Sequence, residues 1–204
     1  MSLVLFLISS CAGSKPYMVV ESFPDTKPEW ARGSEEYTNW IKINERFYRH
    51  YLGTSSDIAA WERRTACESA DADTKKQISE EIVSKVVGKY IEEASRLKIT
   101  SELLVNEQIR KKTDRKLAKD TLSNLVGTET SGKYWERRDY TNSGGKKKHF
   151  TCYIFLRIHK LAYLKLINKV SKKLLGSIKS EGQRKKMEHV FKSNEDLLEI
   201  AKKK

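Results

Sequence analysis

The sequence predicts an α+β fold: a small antiparallel sheet packed by a long helix, with additional helices toward the C-terminus. Three observations predict it. Residues 149–159 alternate without a break, with Phe150, Cys152, Ile154, Leu156 and Ile158 on one side and His149, Thr151, Tyr153, Phe155 and Arg157 on the other. That is the period of a strand with one buried face. Between Ile58 and Val87 the apolar residues Ile58, Trp61, Ala66, Ala70, Ile78, Ile82 and Val86 follow a helical period instead. The elements are also ordered strand, long helix, helix, hairpin, helix, helix, which layers helices on an antiparallel sheet rather than building βαβ units. A chain of 204 residues with 38% hydrophobic content suits one domain plus tails.

The chain opens with Leu3-Val4-Leu5-Phe6-Leu7-Ile8-Ser9-Ser10-Cys11. This run is too short to span a bilayer, which takes about 20 apolar residues. It fits the apolar region and small-residue cleavage zone of a secretory signal, with no basic residue ahead of it, so the expected start of the signal lies upstream of Met1. Residues 1–10 are therefore assigned to a signal peptide and 11–29 to a tether. All three prolines, Pro16, Pro24 and Pro28, lie in that tether, where they break any periodic structure. The domain proper is expected over 30–180.

Residues 35–52 are rich in aromatics (Tyr37, Trp40, Phe47, Tyr48, Tyr51), and Phe47–Leu52 reads as a strand ended by Gly53. Ser55-Ser56-Asp57 is a cluster suited to cap a helix, and the long helix follows over 58–87. Its alanines permit close packing on a sheet, and Gly88 is expected to interrupt it. A second helix is predicted over 101–126, with Leu103, Leu104, Ile109, Leu117, Leu122, Leu125 and Val126 as its apolar set. The hairpin comprises 133–140, a turn cluster Thr141-Asn-Ser-Gly-Gly-Lys146 and 149–159. Leu161, Leu164, Ile167, Val170, Leu174 and Ile178 define the next helix. A basic C-terminal helix, assigned as 181–204, carries Met187, Val190, Phe191, Leu197 and Leu198.

The net charge of +13, from 40 basic and 27 acidic residues, favours an anionic partner. In an exported protein, acidic cell-wall polymers and lipid headgroups rank above nucleic acid. Three clusters are candidates for such contact: Lys146-Lys147-Lys148, Arg184-Lys185-Lys186 and Lys202-Lys203-Lys204. Widely spread lysines also arise when solvated positions are simply filled with lysine. Of the three cysteines, Cys67 and Cys152 remain as a pair once Cys11 is set aside. They are open to being a disulfide or two separate buried thiols, because bridging requires a geometry that sequence does not show.

No catalytic set is evident. Gly127-Thr-Glu-Thr-Ser-Gly132-Lys133 has the spacing of a phosphate loop, but Tyr134 stands where Ser or Thr should bind magnesium. A helix also precedes it and a strand follows, the reverse of the motif. His50, His149, His159 and His189 form no metal-ligand spacing. His149 and His159 lie about 30 Å apart along one strand. Asp71 and Asp73 point in different directions on a helix. The expectation is a protein that is not an enzyme and takes no cofactor or metal. Tyr153 and Phe155 could stack nucleic-acid bases, but a place under a second layer or in a subunit contact is favoured. Tyr37, Trp40, Tyr48, Tyr153 and Phe155 form the candidate interaction surface, as exposed aromatics mark interfaces.

Ile8-Ser9-Ser10-Cys11 resembles the lipobox of bacterial lipoproteins. Together with Pro28-Glu29-Trp30, Tyr51-Leu52-Gly53 ahead of Ala59, Ala60, Ala66 and Ala70, and a hairpin holding Tyr134-Trp135 and Tyr153–Ile158, it resembles the LPP20 family of bacterial outer-membrane lipoproteins. That family includes a flagellar basal-disk lipoprotein of similar build. The helix at 96–126 and the basic C-terminal helix are additions to the pattern. The resemblance implies lipidation of Cys11, a periplasm-facing location at the outer membrane (Ala12 is not an inner-membrane retention residue), and a non-enzymatic, self-associating scaffold of an envelope or flagellar assembly. The alternative is a binding module for an anionic envelope ligand, acting through Lys146, Lys147, Lys148, Arg184, Lys185 and Lys186.

Overall fold

The computed structural model describes residues 17–33, 40–55, 62–99, 103, 106–140, 148–178 and 180–202, with only the main chain at 190 and 193–202. The chain forms an α+β domain. Strands β1 (Met18–Phe23), β2 (Trp40–Ile43), β3 (Arg46–Thr54), β4 (Thr128–Asp139) and β5 (Lys148–His159) pair antiparallel in the order β1-β4-β5-β3-β2. Helices α1 (Arg63–Arg96), α2 (Glu107–Ser123), α3 (Lys160–Gly176) and α4 (Glu181–Lys202) pack together on one side of it.

β5 is the central strand. It carries the alternation read from the sequence, and its Cys152, Ile154, Leu156 and Ile158 face the helices in the main core. Against them α1 presents Ala66, Cys67, Ala70, Ile78, Ile82, Val83, Val86, Val87, Tyr90 and Ala94. Small residues at the start of that stripe let the helix approach β3 closely. A Cβ on Gly53 would lie 1.8 Å from Thr74 Oγ1 and 2.6 Å from the Ala70 carbonyl oxygen. Gly53 therefore does not end the strand, which continues to Thr54; it is the point where helix and sheet touch.

Gly88 does not interrupt α1 either. It is exposed, and a glycine there costs about 1 kcal/mol of helix propensity. Burial of Val86, Val87 and Tyr90 on either side outweighs that, since each buried apolar side chain contributes about 1.5–3 kcal/mol. The helix closes instead at Lys98, whose φ of 52° is left-handed. There the Ile99 N–H donates to the Ala94 carbonyl at 2.9 Å and the Lys98 N–H to Ser95 at 3.1 Å, a Schellman closure.

Of the expected capping cluster, Ser56 and Asp57 lie outside the described residues. Ser55 does something else: its N–H donates to the Cys152 carbonyl, and its Oγ accepts from the Cys152 N–H, each at 3.1 Å. It thus prolongs the pairing of β3 with β5.

Two expectations about domain limits are corrected. The tether assigned to 11–29 includes β1, which is hydrogen-bonded along β4 from Met18–Asp139 to Phe23–Trp135. The 3₁₀ turn Glu29–Arg32 follows it. An edge strand needs no buried face of its own, so its prolines, Pro24 and Pro28, sit harmlessly beyond its end. The C-terminal helix is also no appendage. Met187 and Phe191 of α4 are in the main core, so the domain continues through it.

Candidate functional site

The sheet face away from the helices is covered, not open. Trp30, from the 3₁₀ turn, stacks on Phe155 with centroids 5.3 Å apart, and Phe155 stacks on His50 at 4.7 Å. Gly132 makes room for this lid, because a Cβ there would come within 2.8 Å of the Trp30 ring. The phosphate-loop spacing at 127–133 thus lies along strand β4, in a bulge beneath an indole.

Beside the ring stack sits a buried polar cluster. Tyr134 Oη donates to Glu136 Oε2 at 2.8 Å, Arg138 Nε to Glu136 Oε1 at 2.6 Å, and Arg138 Nη2 to Tyr153 Oη at 2.6 Å. Glu136 is 3% exposed and Arg138 8%. Lys27 lies 4.0 Å over the Tyr153 ring, and the Arg138 guanidinium 4.1 Å over that of Tyr17. Burial pushes the Tyr153 hydroxyl above its ordinary pKa, with Arg138 pulling the other way; burial lowers that of Lys27. Both oxygens of Glu136 are engaged, so its part is to compensate the buried Arg138.

On the helix side, Glu81 of α1 gathers a second network. Its Oε1 takes Lys85 Nζ at 2.7 Å and Tyr163 Oη at 3.0 Å, and its Oε2 takes Arg49 Nη2 at 3.2 Å. Burial alone would raise the Glu81 carboxyl, but the bond and charge of Lys85, then Arg49 and Tyr163, hold it below the usual carboxylate range. The network joins α1, β3 and α3, and Trp40 caps it edge-on against Tyr163 at 5.3 Å.

These geometries correct the candidate interaction surface. Tyr48, Tyr153 and Phe155 are buried, at 8%, 8% and 7% exposure. Tyr48 packs on His159 at 5.3 Å, with Arg157 4.7 Å above its ring. Trp40 remains partly exposed, and Tyr37 lies outside the described residues. The other exposed large apolar side chains among the described residues are Met18, Val19, Val20 and Phe23 on β1, Phe47 on β3, Leu122 at the end of α2 and Val126 ahead of β4. Val20 falls where the β1–β4 register shifts, and such a bulge twists an edge away from simple strand addition. The only sequence signal for this patch was its Val-Val-x-x-Phe content.

Cys67 and Cys152 are joined, Sγ–Sγ 2.06 Å and Cα–Cα 4.9 Å, across a separation of 85 residues. The bridge ties the second turn of α1 to the central strand. Cys11, Lys146 and Lys147 lie outside the described residues. Lys148 pairs with Asp139 across the hairpin at 3.5 Å.

Of the Arg184-Lys185-Lys186 cluster, Arg184 and Lys185 line a cleft of about 820 Å³ between α3 and α4. Lys172 of α3 and Arg184, Lys185 and Lys192 of α4 line it, with Glu188 the one carboxylate among the described residues of its walls. Lys186 is exposed on the same helix. Lys172 and Lys192 carry no local sequence signal; only the helical hairpin brings them to Arg184. Among the described residues, no group of His, Cys, Asp and Glu is placed to hold a metal ion, and no helix is long and apolar enough to cross a membrane.

No family model matches the chain, and neither curated proteins nor solved structures give a significant match. What is defined is therefore a class by architecture: an α+β domain with a disulfide between helix and sheet, a covered second sheet face, an apolar sheet edge and a basic inter-helix cleft.

Proposed function

We propose that this chain is a lipid-anchored protein of the bacterial envelope, held through Cys11 at the periplasmic side of the outer membrane, that works by contact as a scaffold of the kind its LPP20-like motifs suggest. The observation that carries the reading is the apolar edge of β1. Met18, Val19, Val20 and Phe23 are 57%, 40%, 37% and 65% exposed, beginning seven residues after Cys11. These side chains point to both sides of the sheet, Met18 and Phe23 with Asp139 and Trp135 and Val19 with Arg138, so they form an apolar rim, and exposed apolar surface near an anchor supports contact with the membrane surface or with neighbours. The disulfide supports an oxidising compartment. It also leaves Cys11 as the odd cysteine, which in such a compartment calls for a modification or an external partner. Self-association through the side chains of this rim, rather than by strand addition at the bulged edge, fits the same surface.

Two measurements test the proposal. Labelled palmitate should enter the wild-type chain and not Cys11→Ala; an unlabelled wild type removes the anchor. Light scattering of the solubilised chain should show association that Phe23→Lys weakens. A strictly monomeric chain that captures no envelope protein removes the contact role.

A further inference from the structure

We propose that the 3₁₀ turn Glu29–Arg32 is an acid-released lid, held over the outer sheet face while His50 beneath it is neutral and let go when His50 takes up a proton. His50 is 4% exposed, and its buried Nδ1 meets no hydrogen-bond partner among the described residues. Its ring stacks on Phe155 at 4.7 Å, and Phe155 stacks in turn on Trp30 at 5.3 Å. The indole fills the place that Gly132 leaves free of a side chain. An imidazolium in that stack would bury a charge and a further N–H without an acceptor, which is costly unless water or a counter-ion reaches it.

Among the described residues, the carboxylates on the strands of this face are already taken. Arg157 of β5 stands directly across from His50 and is itself a cation; Glu129 of β4 holds it at 2.8 Å. Glu136 of β4 is engaged by Tyr134 and Arg138. Arg46 and Tyr48 of β3 and His159 of β5 lie toward one end of the face, and Tyr153 of β5 toward the other. The covering segment sets Lys27 over Tyr153, while its Asp25, Glu29 and Arg32 are exposed. Burial first and Arg157 second hold His50 below its ordinary pKa, in keeping with this arrangement. The lid is the element that yields. Its backbone bonds close on itself, Ala31 N–H to the Pro28 carbonyl at 3.0 Å and Gly33 N–H to the Trp30 carbonyl at 3.5 Å, and it is fastened to the sheet through the side chains of Trp30 and Ala31. The strands beneath are tied by continuous ladders and, from the far side, by the helices and the disulfide. In acid the lid therefore opens before the domain does, and Phe155, Tyr153 and Tyr134 come to the surface. This device rests neither on the anchor nor on the contact role proposed above.

The full chain, isotopically labelled at tryptophan nitrogen for NMR, reports on the lid through the indole N–H of Trp30, identified as the signal lost in Trp30→Phe. Broadening of that signal by a soluble gadolinium chelate measures its access to solvent. It should rise at least about threefold between about pH 7.5 and 5, over the range in which the His50 ring titrates below its ordinary value of about 6.5. The Trp135 indole, buried in the core on the helix side, should not change. His50→Phe keeps a ring in the stack and removes the titration, so its Trp30 signal should stay at the neutral-pH level throughout. His159→Gln should respond as the wild type does. Any of four results overturns the proposal: a Trp30 signal that holds steady down to about pH 5, an equal rise in His50→Phe, loss of the response in folded His159→Gln, or a rise at Trp30 and Trp135 together, which is unfolding rather than release of a lid. If His50→Phe does not fold, Arg157→Gln decides. Removing the facing cation should move the midpoint upward, and an unmoved midpoint overturns the proposal.

Discussion

Reduction of the Cys67–Cys152 bridge should destabilise the fold severely. Its sequence separation is 85 residues, for which chain-closure entropy gives about 4.5 kcal/mol at 25 °C. Both cysteines are buried, at 4% and 0% exposure, so reduction keeps their packing and removes mainly the constraint on the unfolded chain. Domains of this kind are stable by only about 5–15 kcal/mol, so the loss is a large fraction of the total. At about 2–4 °C per kcal/mol for a chain of this size, the melting temperature should fall by about 9–18 °C. The assay is urea denaturation and calorimetry of the full chain with and without a phosphine reductant, alongside a thiol count on the denatured, unreduced protein. That count should find no thiol from Cys67 or Cys152. Free thiols at both positions, or reduced and oxidised forms that melt within about 1 °C of each other, would refute the reasoning.

Gly53→Ala should cost about 3 kcal/mol or more in a urea titration, at the upper end of overpacking effects. The new methyl meets a backbone carbonyl at 2.6 Å as well as the Thr74 side chain, so a rotamer change alone does not relieve it; a loss under about 1 kcal/mol would contradict the helix–sheet contact. Stability should also fall as pH drops from neutrality. His50 is lowered by burial and then by Arg157, and His159 by burial and then Arg46, with Glu129 opposing. Both stay neutral in the fold while the unfolded chain takes up protons near the ordinary histidine value of about 6.5. Stability is thus full above that value and declines as pH falls toward the lowered folded values. Protonation of His159 also removes its Nδ1 as acceptor for the Leu161 N–H at 3.2 Å. Urea midpoints measured downward from pH 8 should decline, and a flat or rising profile would count against this.

What was legible in the sequence was whatever a local period encodes. The alternation of 149–159 and the stripe from Ala66 to Val86 place β5 and α1 correctly, because each element's buried face recurs within a few residues. Edges were harder. β1 has exposed side chains on nearly every residue, so no in–out pattern marks it. β2 is four residues long and joins β3 through Asn44-Glu45, both at positive φ, a primed hairpin turn of which only the asparagine is a signal. Tyr153 and Phe155 were assigned to the correct face of their strand, but what covers that face comes from Lys27, Trp30 and Ala31, more than 100 residues earlier in the chain. The same holds for the cleft. Arg184-Lys185-Lys186 stood out as a run, whereas Lys172 and Lys192 joined it only through the packing of two helices.

The strand order bears on how the chain matures as it emerges. β1 pairs only with β4, and Phe23 must wait for Trp135, on the far side of two strands and two helices in sequence. During synthesis from the N-terminus the apolar β1 segment has no strand partner until β4 arrives. Cys67 likewise emerges long before its partner Cys152. Met18–Phe23 is therefore among the last segments to settle, and the interval before β4 arrives is when a chaperone would find it accessible.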